Sequence, residues 1–142
     1  MSQITSIESF KFKLEGFGTP IFEVYYQKYF VFYSACKYIY GKGIQHNKEI
    51  TIDALEMFKS KLNELSLINW ENVYSECHVI DGETWEIEIF FNASGEKKII
   101  GYNCYPGCLS NICERTEPFN ELLEAIKVLI IEPAFFSDDF FE

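Results

Sequence analysis

Apolar and charged residues alternate along the first part of the chain. Positions 10–14 place Phe, Phe and Leu between charged residues, and positions 22–26 place Phe, Val and Tyr at the same spacing. This is the period-two pattern of half-buried β-strands. Glycines and a proline at 16–20 indicate the turn between them. The stretch 29–40 is rich in aromatic and β-branched residues and predicts a third strand, and a short extended segment is expected near 45–50.

A change to helical spacing predicts one helix in the middle of the chain and one near its end. Asp53 followed by Glu56 has the spacing of a capping box with an acidic N-cap, and this helix is expected to end near Ser66. The second helix is expected to run from about Thr116, its N-cap, to Ile131, because Pro133 prevents continuation. Apolar residues at helical spacing mark the inner faces: Leu55, Phe58, Leu62 and Leu65 in the first, and Phe119, Leu122, Leu123, Ile126, Leu129 and Ile130 in the second.

A second β unit is predicted between the two helices. Asp81-Gly82 lies between two runs that contain apolar residues, and this dipeptide favours a hairpin. In the strand that follows, odd-numbered and even-numbered positions face opposite sides. The first set is Trp85, Ile87, Ile89 and Phe91, and the second is Glu86, Glu88 and Phe90. A Ser-Gly turn and a returning strand at 97–104 complete the unit.

Strands, a helix, strands and a helix therefore follow one another, with no parallel βαβ alternation. This predicts an α+β fold, a two-layer sandwich of antiparallel sheet and two helices in the order βββ-α-βββ-α. The length suits a single domain, 1–142. Residues 133–142 form an acidic-aromatic C-terminal tail, which either packs on the core as a terminal strand or docks in a groove on another chain. Self-packing is favoured, because exposed phenylalanine clusters promote aggregation.

The chain is rich in apolar residues and strongly acidic. Hydrophobic residues make up 48% of it, which excludes the disordered class. The formal net charge is -10 and the basic residues are scattered, so direct nucleic-acid binding is not expected. A basic protein partner fits this charge, because opposite potentials speed encounter. Alternatively, the charge serves only to keep the protein soluble.

No segment indicates export or membrane insertion. The first residues lack the apolar core of a signal peptide, and no apolar run reaches the length of about eighteen residues that predicts a membrane-spanning helix. The five cysteines are an odd number, and we read them as reduced thiols of a cytoplasmic protein.

Cysteine and histidine residues are the first candidates for chemistry. Zinc needs four thiolate or imidazole ligands in a tetrahedron. Cys104, Cys108 and Cys113 are four and five residues apart, and the pair Cys77-His78 lies upstream. These spacings do not match a zinc knuckle, so we assign no metal site and interpret the cysteines as small apolar residues and a loop thiol. Whether they meet in space is left open.

No catalytic constellation is found in the sequence. A cysteine nucleophile needs a base within reach. His78 lies beside Cys77 on a predicted strand, where neighbours face opposite ways, and His46 lies in a predicted polar loop. A G-x-S-x-G elbow, a G-x-x-x-x-G-K-[ST] loop and an H-E-x-x-H motif are all absent. We therefore expect a protein that is not an enzyme and uses no cofactor.

Carboxylates are abundant and supply the candidate partner-binding residues. Glu86 and Glu88 share one face of a predicted strand, with Glu83 beside them. They form either an acid/base pair or, as is far commoner, a solvated outer face. Exposed glutamates side by side repel each other, and a cationic partner would relieve that cost. This face is the predicted docking surface, and Asp138 and Asp139 in the tail form a second acidic element.

The stretch 81–130 carries a pattern that recurs in other small proteins. Its elements are Asp81-Gly82, Trp85, an alternating strand, Gly101, Asn103, Tyr105-Pro106 and a leucine-rich helix opened by an aromatic. The pattern resembles small uncharacterised bacterial domains associated with immunity and defence. This chain departs from it at GCLSNICERTE, which separates Tyr105-Pro106 from the helix.

The resemblance and the charge predict an acidic protein-binding domain, an immunity protein that neutralises a cationic toxin such as a nuclease. An acidic decoy encoded by a phage, which inhibits a nucleic-acid-binding enzyme, fits the same features. A small-ligand-binding domain is the third hypothesis, and it needs a concave pocket lined by Tyr and Phe. The oligomeric state is left open.

Overall fold

A computed structural model describes residues 3–16, 20–37, 43–75, 82–107 and 114–141. The predicted turn residue Asp81 and the candidate ligands Cys77, His78, Cys108 and Cys113 lie outside these ranges. The described elements are β1 (Ile7–Glu15), β2 (Ile21–Gln27), β3 (Phe30–Cys36), β4 (Ile44–Glu49), α1 (Ile52–Glu64), β5 (Val73–Tyr74), β6 (Thr84–Phe91), β7 (Gly95–Tyr102) and α2 (Glu117–Ile130), with short 3₁₀ segments at Leu67–Asn69 and Asp138–Phe141.

The seven described strands form one mixed sheet in the order β4-β3-β2-β1-β6-β7-β5. The predicted α+β fold with two helices is confirmed, but the predicted order and the purely antiparallel pairing hold only in part. Four strands precede α1, because the extended segment near 45–50 is a full strand, β4, paired with β3. β5 is only two residues long and runs parallel to β7, where the Ile100 amide donates to the Asn72 carbonyl at 2.9 Å.

One face of the sheet forms the core. Its buried apolar strand residues are Ile7, Phe10, Phe12, Leu14, Phe22, Val24, Tyr26, Val31, Tyr33, Ala35, Trp85, Ile87, Ile89, Phe91 and Ile99. Both helices cover this face: the rings of Phe10 and Phe58 lie 5.0 Å apart, and those of Phe12 and Phe119 lie 6.3 Å apart. The six apolar positions predicted for the inner face of α2 are all buried. Neither described helix combines the length and apolar character needed to cross a lipid bilayer.

Helix ends and one turn differ from the sequence-based expectations. The N-cap of α1 is Thr51, whose Oγ1 accepts from the Ala54 amide at 3.1 Å, and Asp53 lies inside the first turn. Thr116 occupies the N-cap position of α2, but its hydroxyl donates to the Pro106 carbonyl at 2.7 Å instead. The predicted strand 29–40 is wrong at its start, because Lys28 and Tyr29 are both left-handed and form the β2–β3 turn.

The C-terminal segment packs on the chain's own core. Phe135 is buried and lies 5.1 Å from Phe22, ring to ring, and Phe136 lies 5.6 Å from Phe12. The expected terminal strand is wrong, because residues 133–141 form turns and a 3₁₀ segment. These turns place two adjacent phenylalanines on the same apolar surface. In an extended strand the two side chains would face opposite sides.

Trp85 is the centre of an aromatic cluster at the β6–β7 end of the core. It is fully buried, and its ring centroid lies 4.8 Å from that of Phe119 and 6.3 Å from that of Tyr105. Trp70 meets it edge-on at 6.4 Å. The cluster therefore joins β6, the segment after β7 and α2 through contacts among large flat rings, each of which adds to the burial energy.

Gly101 leaves the space that Trp85 fills. The register places Gly101 opposite Trp85, and a Cβ built on it would lie 2.0 Å from Trp85 Nε1. That nitrogen donates to the Cys104 carbonyl at 2.9 Å. Any side chain at position 101 must therefore displace the indole and break a buried hydrogen bond.

We expect Gly101→Ala to lower the free energy of unfolding by about 1 to 3 kcal/mol, the usual cost of overpacking a core. Urea unfolding followed by far-ultraviolet circular dichroism measures it. Ser94→Ala, in the exposed turn before β7, is the control and should change stability by less than about 0.5 kcal/mol. Equal losses in the two variants would contradict the steric explanation.

A polar contact ties the end of α2 to β3 and β4. The buried Tyr33 hydroxyl donates to Glu132 Oε1 at 2.7 Å, and Lys48 Nζ donates to the Ile130 carbonyl at 2.6 Å. Burial, followed by the hydrogen bond to Glu132, raises the pKa of the Tyr33 phenol well above its ordinary value. The folded state therefore favours the protonated phenol.

The raised pKa predicts a pH dependence of stability. Because the folded-state pKa of Tyr33 exceeds its unfolded value of about 10, its contribution is fully present below that pH and is lost as the pH rises through the folded-state pKa. Tyr33→Phe should therefore flatten the alkaline decline in the free energy of unfolding. Denaturant titrations between neutral and strongly alkaline pH test this, and an unchanged slope in the variant would refute it.

Candidate functional site

The second face of the sheet is covered by no helix or strand in the described part of the chain. Its residues are partly or fully exposed, in alternation with the core positions. The register groups them into cross-strand rows, one of which is Asn47, Phe32, Tyr25, Lys11, Glu88 and Lys98. We call this surface the open face, and it is a candidate for binding on the described chain.

Charges on one half of the open face balance within the chain. Lys13 lies opposite Glu86, and Lys11 lies opposite Glu88, across the β1–β6 pair. Lys98 Nζ, on the other side of β6, lies 3.9 Å from a Glu88 oxygen. Lysines of neighbouring strands therefore lie next to both glutamates, and Glu88 forms an ion pair with one of them. The role of the two glutamates in partner binding stays a prediction.

Glu83, the third predicted binding residue, lies just before β6 and forms structural contacts within the chain. Its carboxylate accepts two hydrogen bonds from Arg115, Nε to Oε1 at 2.6 Å and Nη2 to Oε2 at 2.8 Å. The hydroxyl of the buried Tyr105 also donates to Oε1, at 2.7 Å. Hydrogen bonding to Glu83 raises the pKa of the Arg115 guanidinium further above its ordinary value. Glu83 thus fastens β6 to the segments before α2.

The two acidic tail residues lie elsewhere. Asp138 and Asp139 are exposed in the 3₁₀ segment at the end of the described chain. The same segment carries Phe140 and Phe141, whose rings contact Phe135 and Phe22 on the helix-covered side of the sheet. The structure therefore does not bring the tail carboxylates together with Glu86 and Glu88.

The other half of the open face carries exposed aromatic side chains. Tyr25, Phe30 and Phe32 are 38%, 47% and 49% exposed. Tyr25 lies directly opposite Phe32 across the β2–β3 pair. Phe30 lies two residues before Phe32 in β3, on the same face of the sheet. We call these three residues the aromatic patch. Sequence reasoning missed this patch, although one signal was available. Residues 30–33 are all aromatic or aliphatic, so β3 carries such side chains on both of its faces.

The surroundings of the aromatic patch are acidic. Among open-face positions of β2, β3 and β4, the charged residues are Glu23 and Glu49, and neither forms an ion pair within the described chain, although Lys13 of β1 lies opposite Glu23. Lys48 points to the opposite side, where it bonds Ile130. A shallow open depression of about 430 Å³ lies beside Tyr25 and Phe32. The open-face positions of β2 to β4 are thus apolar or acidic, and the neighbouring lysines, Lys11 and Lys13, lie on β1.

Side chains suited to metal binding do not cluster among the described residues. No cluster of three or more His, Cys, Asp or Glu side chains occurs among the described residues. Of the described cysteines, Cys36 is half-buried at the end of β3 and Cys104 is buried beside Trp85. The predicted loop position of His46 is wrong, because it lies in β4 with its ring 5.3 Å from that of Tyr33.

We expect Glu83→Gln to lower the free energy of unfolding by about 1 to 2 kcal/mol, because it removes the charge from a partly exposed, bidentate pair. Arg115→Lys should give a smaller loss, since lysine lacks the two parallel donors. Urea unfolding measures both. Glu86→Gln is the matched control, with an expected change below about 0.5 kcal/mol, and a similar loss there would show that Glu83 has no special structural role.

No protein-family model matches this chain, and no curated protein matches it either.

Proposed function

We propose that this chain is a protein-binding domain whose aromatic patch and neighbouring carboxylates dock a basic surface of another protein. The observation that carries the proposal is the composition of one half of the open face. It combines three exposed aromatic rings with Glu23 and Glu49 and, at the open-face positions of β2 to β4, no lysine or arginine.

These residue types suit a cationic partner for physical reasons. The faces of Tyr and Phe rings attract guanidinium and ammonium groups, and the attraction grows when both are removed from water. Aromatic residues are enriched at protein interfaces, where they supply apolar area with few rotamers to immobilise. Unpaired carboxylates at the edge of such a patch add electrostatic attraction and speed association.

A partner other than a second copy is favoured by charge. Each chain carries a net charge of -10, so two copies repel each other at long range. Like charges brought together at an interface cost several kcal/mol, so the excess of carboxylates on each copy disfavours self-association.

The biological form that we propose is an immunity protein inside the cell that occludes the basic surface of a toxin, such as a nuclease domain. The resemblance of residues 81–130 to immunity- and defence-associated domains supports this form. An acidic decoy that inhibits a nucleic-acid-binding enzyme would use the same surface. The two differ in genetic context, because an immunity protein is encoded beside its toxin.

The experiment co-expresses the protein with the basic toxin domain of the neighbouring reading frame and measures cell survival. The wild type should restore growth. Tyr25→Thr/Phe32→Thr should not, because both rings are lost while threonine keeps the strand preference. Calorimetry on the purified pair should show affinity weakened by about thirtyfold or more, the effect of removing an interface hot spot.

Two double variants with the same change in charge separate docking from general electrostatics. Glu23→Gln/Glu49→Gln removes the carboxylates beside the aromatic patch, and Glu86→Gln/Glu88→Gln removes two from the balanced half. Only the first should weaken binding and reduce its salt dependence. Equal effects of the two variants on binding would contradict the proposal. Full restoration of cell growth by the Tyr25→Thr/Phe32→Thr protein would also contradict it.

A further inference from the structure

A second exposed apolar surface lies between the two helices, on the side away from the sheet. Met57 of α1 and Val128 of α2 are 63% and 58% exposed. Together with Ala54 and Ala125 they line a groove of about 800 Å³. We call it the helix groove. Large exposed apolar side chains that share one concave surface mark interaction sites more often than scattered ones do.

The two helices lie side by side in opposite directions. Lys61, in the last turn of α1, forms an ion pair with Glu121 in the second turn of α2 at 3.2 Å. The C-terminal half of α1 therefore lies beside the N-terminal half of α2. The apolar residues of the groove come from the other halves, so the groove has an apolar end and a charged end.

The charged end is acidic. Glu64, Glu117, Glu121 and Glu124 line the groove, and Lys61 is the single cation among the lining residues. Lys61 is shared, because it also lies 3.5 Å from Glu64. Glu124 pairs with Lys127, one turn along α2. Glu117 has no ion-pair partner within the described residues. The lining thus keeps an excess of negative charge beside an exposed apolar floor.

We propose that the helix groove binds a basic amphipathic helix of a partner protein. Apolar side chains of that helix would pack on Met57 and Val128, and lysine or arginine side chains would lie toward Glu64, Glu117 and Glu121. Helices α1 and α2 contain 13 and 14 residues, and each is about 20 Å long at 1.5 Å per residue. A partner helix of three to four turns matches that length, and helix-in-groove docking is a recurring mode of recognition.

A second copy of this chain does not fit the helix groove. The exposed surfaces of α1 and α2 carry Asp53, Glu56, Glu64, Glu117, Glu121 and Glu124 against Lys59, Lys61 and Lys127. A helix from an identical chain would therefore bring carboxylates to an acidic groove. This surface is also separate from the open face, so its failure in a binding test leaves the proposed function untouched.

The probe is a synthetic helical peptide of about 14 residues, with blocked termini, made of Ala, Leu and Lys. One end of the peptide carries leucines on one helical face, and the other end carries lysines on the same face. We call it the striped peptide. The control peptide has the same composition in shuffled order. Fluorescence anisotropy should show about tenfold tighter binding for the striped peptide. Shifts of backbone amide resonances should map to Ala54, Met57, Ala125 and Val128.

Variants of the protein test how much each end of the helix groove contributes to peptide binding. Met57→Gln/Val128→Gln should weaken binding of the striped peptide about tenfold. Glu117→Gln/Glu121→Gln should weaken it and flatten its salt dependence. Phe32→Thr, on the open face, is the control and should bind like the wild type. Equal binding of the striped and shuffled peptides, or resonance shifts confined to the open face, would overturn the proposal.

Discussion

The fold depends on burying one face of a seven-stranded sheet: two helices and a short C-terminal segment cover this face, and no described helix or strand covers the other. Trp85 shows how tightly the covered face is built, since its indole fits only because Gly101 has no side chain. The uncovered face has no such requirement. Only solubility and binding to other molecules constrain the residue types on this face. Packing explains the buried aromatic residues of the core, whereas exposed aromatic residues on this face suggest a binding function.

Much of the covered face could be predicted from the sequence, because its signals are local. The alternation in β1 and β6 and the apolar stripe of α2 depend only on spacing within one element, and all reappear as buried positions. Helix caps were less certain. Thr51 and Asp53 are two residues apart and both are good N-cap residues, and only the path of the chain after β4 decides which one begins α1.

The candidate site could not be predicted in the same way, because it depends on which strands become neighbours. Glu86 and Glu88 look unpaired along the sequence, and their lysine neighbours on β1 lie more than seventy positions away. Glu83 and Arg115 are 32 positions apart. The aromatic patch likewise arises from the β2–β3 register. Pairing of distant strands is a property of sheet order, which alternation within single strands does not encode.

The positions of the two tryptophans have a practical consequence for spectroscopy. The chain contains two, and Trp70 and Trp85 meet edge-on inside the core. Both are buried there, whereas the aromatic patch contains tyrosine and phenylalanine. Indole emission from this protein should therefore monitor the integrity of the interior with little interference from surface events. Ligands that cover the exposed rings would instead alter the weaker phenol signal.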